Sequence, residues 1–126
     1  MVYKHIVMWK FKEQHNGKSA LENARWMKEQ LEALVGVVPE LLSAEVGISP
    51  ALEQAAATPS NAAVQSNAAA APAPAASGEY DACLLSTFAS PEALAAYKVH
   101  PKHKAISAYC KEARLKRLAF DWWSEE

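Results

Sequence analysis

Residues Val2 to Phe11 constrain this chain more than any other stretch. They alternate as a strand, yet neither side of the strand is polar throughout. Tyr3, Val7, Trp9 and Phe11 fall on the odd side, with His5 among them, and Val2, Ile6 and Met8 fall on the even side. An antiparallel sheet in a small single subunit normally leaves one face to water. A strand apolar on both faces needs cover on both. Helices supply one layer, and a second copy of the chain is the natural cover for the other.

The rest of the chain supplies elements for such a sheet. Asn16-Gly17 marks a loop, and Ser19-Ala20-Leu21-Glu22 fits a capping box opening a helix. Leu21, Ala24, Met27, Leu31 and Leu34 recur at three- and four-residue steps, and Gly36 supplies a helix stop. Pro39 to Ser49 reads as a second strand with Leu42, Ala44, Val46 and Ile48 on one side. Glu79 to Phe88 reads as a third, with Tyr80, Ala82, Leu84, Ser86 and Phe88 on one face and Asp81, Cys83, Leu85 and Thr87 on the other. Ser90-Pro91-Glu92 then opens a helix. Leu115 to Trp123 closes the chain as a strand carrying Leu118, Phe120 and Trp122 on one face. Strand, helix, two strands, a helix pair and a strand make the α+β ferredoxin-like split βαβ arrangement, a four-stranded antiparallel sheet with helices on one face.

Residues 50 to 78 interrupt this pattern. They hold 13 Ala and four of the seven Pro, no aromatic residue and one charge, Glu53. Such a segment buries too little apolar area to offset its ordering entropy. It reads as an Ala/Pro-rich insertion between strands of a single domain spanning 1 to 126, with a short helix over Ala51 to Gln54 or a lid as the ordered alternatives.

Composition excludes several functions. With 13 basic and 14 acidic residues the net charge is −1, which gives no electrostatic case for nucleic acid or an anionic membrane surface. No apolar run approaches the roughly 20 residues that span a bilayer. Met1-Val2-Tyr3-Lys4-His5 does not read as a signal peptide. Cys83 and Cys110 lie far apart with no Cys-x-x-Cys pair or ligand-spaced histidines, so we expect no metal and two reduced thiols in a cytoplasmic protein.

Chemistry concentrates at Tyr97-Lys98-Val99-His100-Pro101-Lys102-His103. Proline disfavours helical geometry in the residue before it and suits the first turn of a new helix. One helix therefore ends near Val99 and another begins at Pro101. This brings Tyr97 and His103 to a helix corner, with Ile106, Cys110 and Ala113 on the side of His103. An imidazole suits a general base near neutral pH, and the positive end of the helix dipole disfavours its charged form. The plainer reading is that Tyr97, His100 and His103 satisfy backbone groups at the corner; His100 is assigned that role, and His15 is expected in solvent.

Lys4-His5 with Trp9-Lys10-Phe11, Thr87-Phe88 with Ser90, Tyr97-x-x-His100-Pro101-x-His103 and Phe120-Asp121-Trp122 together resemble the Dabb family, the stress-responsive α/β-barrel domain. The resemblance covers the whole chain except residues 50 to 78. It implies a homodimer, a dimeric α/β barrel in which two sheets pack face to face. Plant polyketide cyclases of that family close a linear polyketide by aldol condensation without a cofactor. The resemblance places their catalytic tyrosine and histidine at Tyr97 and His103, their first-strand histidine at His5 and their late aspartate at Asp121, where it orients His5 or His103. A cavity tyrosine of those cyclases becomes Leu31 here and a cavity histidine becomes Ala82, so the cavity expected here is less polar.

The expected function is binding of a small apolar or aromatic molecule between sheet and helices, lined by His5, Val7, Trp9, Met27, Leu84, Ile106 and Asp121. The alternative is a cofactor-free cyclase or lyase, with His103 as base and Tyr97 donating to the enolate oxygen. A purely structural dimer is a third reading. Cofactor-free monooxygenases share the fold, but no residue here argues for an oxygen-activating substrate.

Overall fold

A computed structural model of the chain describes residues 1 to 57 and 79 to 125. The elements in order are β1 (Val2–Phe11), β2 (Gln14–His15), β3 (Lys18–Ser19), α1 (Ala20–Glu32), β4 (Ser43–Ile48), α2 (Pro50–Ala57), β5 (Ala82–Phe88), α3 (Pro91–Lys98), α4 (Pro101–Ala113) and β6 (Arg114–Ser124). β4, β5, β1 and β6 form one sheet in that spatial order, every pairing antiparallel. This is the ferredoxin-like α+β fold expected from the element order. Among the described residues no helix is long and apolar enough to cross a membrane.

Local chemistry explains most boundaries. Asn16 (φ 58°) and Gly17 (φ 75°) both take left-handed backbone, the requirement of a tight two-residue hairpin between β2 and β3. Ser19 then caps α1: its hydroxyl accepts from the Glu22 N–H, and the Glu22 carboxylate accepts from the Ser19 N–H. Ser90 caps α3 in the same way through the Ala93 N–H. His100 caps α4 as its Nδ1 accepts from the Lys102 N–H, confirming its structural assignment. The α1 stripe is buried throughout, from Leu21 to Leu34.

Three boundaries and the setting of one residue differ from expectation. α1 ends at Glu32, so Gly36 (φ 91°) serves the following turn and not the helix stop. The Leu41 N–H bonds to the Val38 carbonyl, and this turn shifts the phase of the chain. Leu41 is therefore buried while Leu42 is half-exposed, and β4 starts only at Ser43. The helix after Pro50 runs to Ala57, further than its sequence suggested. The rest of the Ala/Pro-rich segment, 58 to 78, lies outside the described residues. Finally, His15 is not a solvated loop residue: its ring meets Tyr109 edge-on, centroids 5.4 Å apart.

The sheet has two unlike faces. Val7, Trp9 and Phe11 of β1 join Val46, Ala82, Leu84 and Phe88 against the helices, forming one core. On the other face Leu85, Leu118 and Phe120 are exposed, and Phe120 stacks on Trp122 at 5.8 Å. The even-side residues of β1, including Ile6 and Met8, are part-buried beside them. The two-faced first strand is thus real, and its second face has no helix over it among the described residues.

Two carboxylates fasten the sheet. Glu32 accepts from the Val46 N–H at 2.9 Å and from Lys28 at 2.7 Å, while Lys28 also donates to the Val46 carbonyl at 2.7 Å. The backbone N–H and carbonyl of Val46, in the middle of edge strand β4, are thereby bonded to α1, which obstructs that edge against pairing with another chain. Asp81 was expected to share a strand face with Cys83, Leu85 and Thr87, but it precedes β5 and is buried. The register of β1 against β6 shifts between Lys10 and Phe11, and Asp81 accepts from the Phe11 N–H at 2.9 Å there and from Lys10 at 3.2 Å. Removing that carboxylate strands a buried donor. Asp81→Ala should lower unfolding stability by about 1–3 kcal/mol with an unchanged denaturant slope, read from urea titration.

Candidate functional site

A cavity of about 240 Å³ lies between the inner sheet face and the helices. His5, Val7 and Trp9 of β1 and Leu84 of β5 form its floor, and Leu31, His103 and Ile106 contribute from the helices. Lys98, Ser107, Cys110, Arg114 and Arg117 complete it.

The corner at Pro101 positions His103. α3 ends at Lys98 and α4 begins at Pro101, so the His103 ring folds back over the end of α3. Its Nδ1 lies 3.2 Å from the Lys98 carbonyl. A carbonyl only accepts, so Nδ1 carries the proton and Nε2 keeps its lone pair. His5 is arranged alike. Its Nδ1 lies 2.5 Å from the Asp121 carboxylate across the β1–β6 pair, in which His5 and Asp121 are direct partners. Nδ1–H donates to Asp121, and in the neutral ring Nε2 is again bare.

Burial holds both imidazoles below the ordinary histidine pKa. For His5, desolvation outweighs the opposing hydrogen bond and charge of Asp121. For His103, desolvation outweighs the Lys98 carbonyl, and Arg117, Lys98 and any proton taken up by His5 act in the same downward sense. The helix dipole anticipated the direction for His103, but burial is the larger cause. Burial also raises the Cys110 thiol to about 12, so it lines the cavity as an apolar, unreactive group.

Tyr97 occupies a different place from the one its sequence position suggested. It is fully buried and absent from the cavity wall. Its ring packs behind His103, centroids 4.4 Å apart, and against Phe88 at 5.1 Å. Among the described residues its hydroxyl is the one buried side-chain polar atom with no hydrogen-bond partner.

Of the remaining residues expected at the site, Val7, Trp9, Leu84 and Ile106 do line the cavity. Asp121 stands behind the wall and orients His5, not His103. Met27 is a correction: it is fully buried in the core, and Leu31, four residues further along α1, reaches the wall instead. The reading missed Ser107, four residues after His103 and so on the same helix face. It also missed Arg117, which shares the inner side of β6 with Asp121; both were accessible from periodicity. Among the described residues no group of three metal-ligating side chains converges.

With fold and site in place, comparisons with known proteins identify the class. The sequence profile of the stress responsive A/B barrel domain, Dabb, matches residues 3–69 and 61–124. The chain belongs to the Dabb family. No curated protein matches it. Among solved structures, it is similar to a dimeric ferredoxin-like protein of unknown function from Bacteroides fragilis, at 21% identity and TM-score 0.70, covering 98% of this chain and 96% of that one. It is also similar to hydroxynitrile lyase from Passiflora edulis, at 17% identity and TM-score 0.65, covering 99% and 95%. A dabb family protein from Mesorhizobium loti matches at 13% identity and TM-score 0.61, covering 99% and 98%.

The two imidazoles make stability depend on pH. A free histidine titrates near ~6.5, and both rings titrate lower in the folded chain. Between the folded and unfolded values the unfolded chain binds more protons. This contribution is therefore full above about pH 6.5 and is lost as pH falls through the folded-state values. Denaturation midpoints should decline on acidification from about pH 8 to about pH 5, and His103→Gln should flatten that decline.

Proposed function

We propose that this Dabb protein is a homodimer that binds a small apolar or aromatic molecule in the cavity beside His103. The observation that carries the reading is the meeting of two imidazoles, each with a bare Nε2, on a wall whose apolar part is Val7, Trp9, Leu84 and Ile106 and whose rim carries Lys98, Arg114 and Arg117. A concave site that joins an apolar wall to convergent polar groups is a usual form of a small-molecule site. We read residues 50 to 78 as an insertion within one domain, and the reduced Cys83 and Cys110 fit a cytoplasmic setting.

The dimer would form through the outer sheet face, where Leu85, Leu118 and Phe120 otherwise stand in water. The dimeric Bacteroides fragilis protein of the same fold supports this arrangement. Phe120→Asp places a charge on that face, on edge strand β6 beside Ile6 of β1. It should convert a dimer into a monomer in light scattering after gel filtration, while Lys111→Asp, exposed on α4 on the other side of the sheet, serves as a charge control. A wild-type chain that stays monomeric at high concentration refutes the dimer.

A second reading is favoured by Tyr97. A buried hydroxyl with no partner is destabilising by about 1–3 kcal/mol, and packing of the ring does not require it. In an enzyme without a cofactor, His103 Nε2 would remove a proton alpha to a carbonyl, and the Tyr97 hydroxyl would turn toward the developing oxyanion. The hydroxynitrile lyase of Passiflora edulis offers fold-level analogy for such catalysis and no more. Tyr97→Phe separates the roles. Stability should hold or rise by about 1 kcal/mol, while ligand affinity or turnover falls at least about tenfold. A loss of stability instead would show that the hydroxyl serves the fold. Thermal-shift screening over aromatic and polyketide-like compounds tests the binding reading, with His103→Ala as the negative control.

A further inference from the structure

Neither the apolar wall nor the imidazoles account for the charge around the cavity. Lys98, Arg114 and Arg117 all line it, in a chain whose net charge is only −1. Elsewhere lysines meet carboxylates: Lys10 meets Asp81 at 3.2 Å, Lys28 meets Glu32 at 2.7 Å and Lys116 meets Glu79 at 3.4 Å. Among the described residues, none of the three cavity cations has a carboxylate within ion-pair distance. Asp121, the acid of this site, is committed to His5.

The two arginines also act against each other. Partial burial disfavours the charge of Arg117, the positive charge of Arg114 adds to that effect, and Asp121 opposes it. Concentrating cations without a counter-charge is unfavourable for the empty protein and becomes favourable when an anion enters. The chemistry of the cations narrows the anion. A guanidinium offers a planar fork of N–H donors that matches a carboxylate bidentately. The walls of Trp9, Leu84 and Ile106 suit a flat apolar body, and the bare Nε2 atoms of His5 and His103 each accept a hydrogen bond.

We propose that the cavity takes a planar, aromatic-type carboxylic acid, its carboxylate held by Arg114 and Arg117 and its apolar body lying on the wall. A hydroxyl on that body would donate to His5 or His103. This rests on the reading of the cavity as a small-molecule site and specifies its ligand class.

Calorimetric titration of the full chain with 2-naphthoate, with its neutral isostere 2-naphthamide and with inorganic phosphate tests the assignment. The acid should bind at least about tenfold more tightly than the amide. Arg114→Gln with Arg117→Gln should remove that preference and leave amide binding unchanged. Arg117→Gln alone, at an exposed position, gives a partial loss should the double variant fail to fold. Acid and amide binding equally to the wild type would overturn the carboxylate assignment and leave the cavity reading standing. Phosphate displacing the acid at equal concentration would reassign the cations to a phosphate-bearing ligand and overturn the proposal. If neither aromatic probe binds, the ligand class and the cavity reading both fall.

Discussion

The structure depends on a central strand that must bury both of its faces. β1 sits between β5 and β6, so it has no free edge, and its side chains supply the middle of both sheet surfaces. The odd side builds the helix-covered core through Val7, Trp9 and Phe11 and, with His5, forms one side of the cavity. The even side lies under the exposed Phe120 and Leu118 of β6 and Leu85 of β5. A strand of this kind is costly to leave half-solvated, because apolar area exposed to water forgoes about 25 cal/mol per Å². The fold, the cavity and the apolar outer face on which the proposed dimer rests are consequences of the same ten residues.

Much of the fold was legible because its signals are local. The Ser19–Glu22 capping box, the Ser90-Pro91 helix start and the His100-Pro101 corner each act within four residues, and each is found where the sequence put it. Period-two alternation gave the face of every residue within β5. What escaped was set by groups distant in sequence. Leu42 was misplaced because the Val38–Leu41 turn changes the phase before β4 begins. Asp81 was misplaced because its partner, the Phe11 N–H, is exposed only by a register shift 70 residues away. Met27 and Leu31 lie on one helical stripe, and no spacing rule distinguishes the residue that fills the core from the one that reaches the cavity.

The candidate site shows the same division. That Tyr97 and His103 approach each other followed from the proline between them. That the Tyr97 ring lies behind the imidazole, not beside it, depends on Phe88 from β5 occupying the adjoining volume. The pairing of His5 with Asp121 follows from strand register, where the sequence left Asp121 open to either His5 or His103. Each histidine is held by its Nδ1 to a fixed acceptor of the scaffold, His5 by the Asp121 carboxylate and His103 by the Lys98 carbonyl. This fixes the tautomer, so the reactive nitrogen is chosen by the scaffold and not by the ligand.

The location of the cavity has a physical origin in the sheet edge. The inner faces of β4, β5 and β1 are closed over by the helix layer, with Val46, Leu84, Phe88 and Val7 all nearly inaccessible. On the inner side of β6 that layer runs out: Arg117, Ala119 and Trp123 are exposed, and Arg114 and Asp121 are only part-buried. A core that thins toward an edge strand leaves a gap bounded by dry residues on one side and wet residues on the other. His5 and His103 stand at that boundary, buried enough to stay neutral and near enough to water for a polar ligand to arrive. Charged residues are tolerated on β6 for the same reason, since a fully covered strand would have to desolvate Arg117 without a partner. An apolar wall and a cationic rim are thus two sides of one incomplete layer, and the imidazoles lie where they meet.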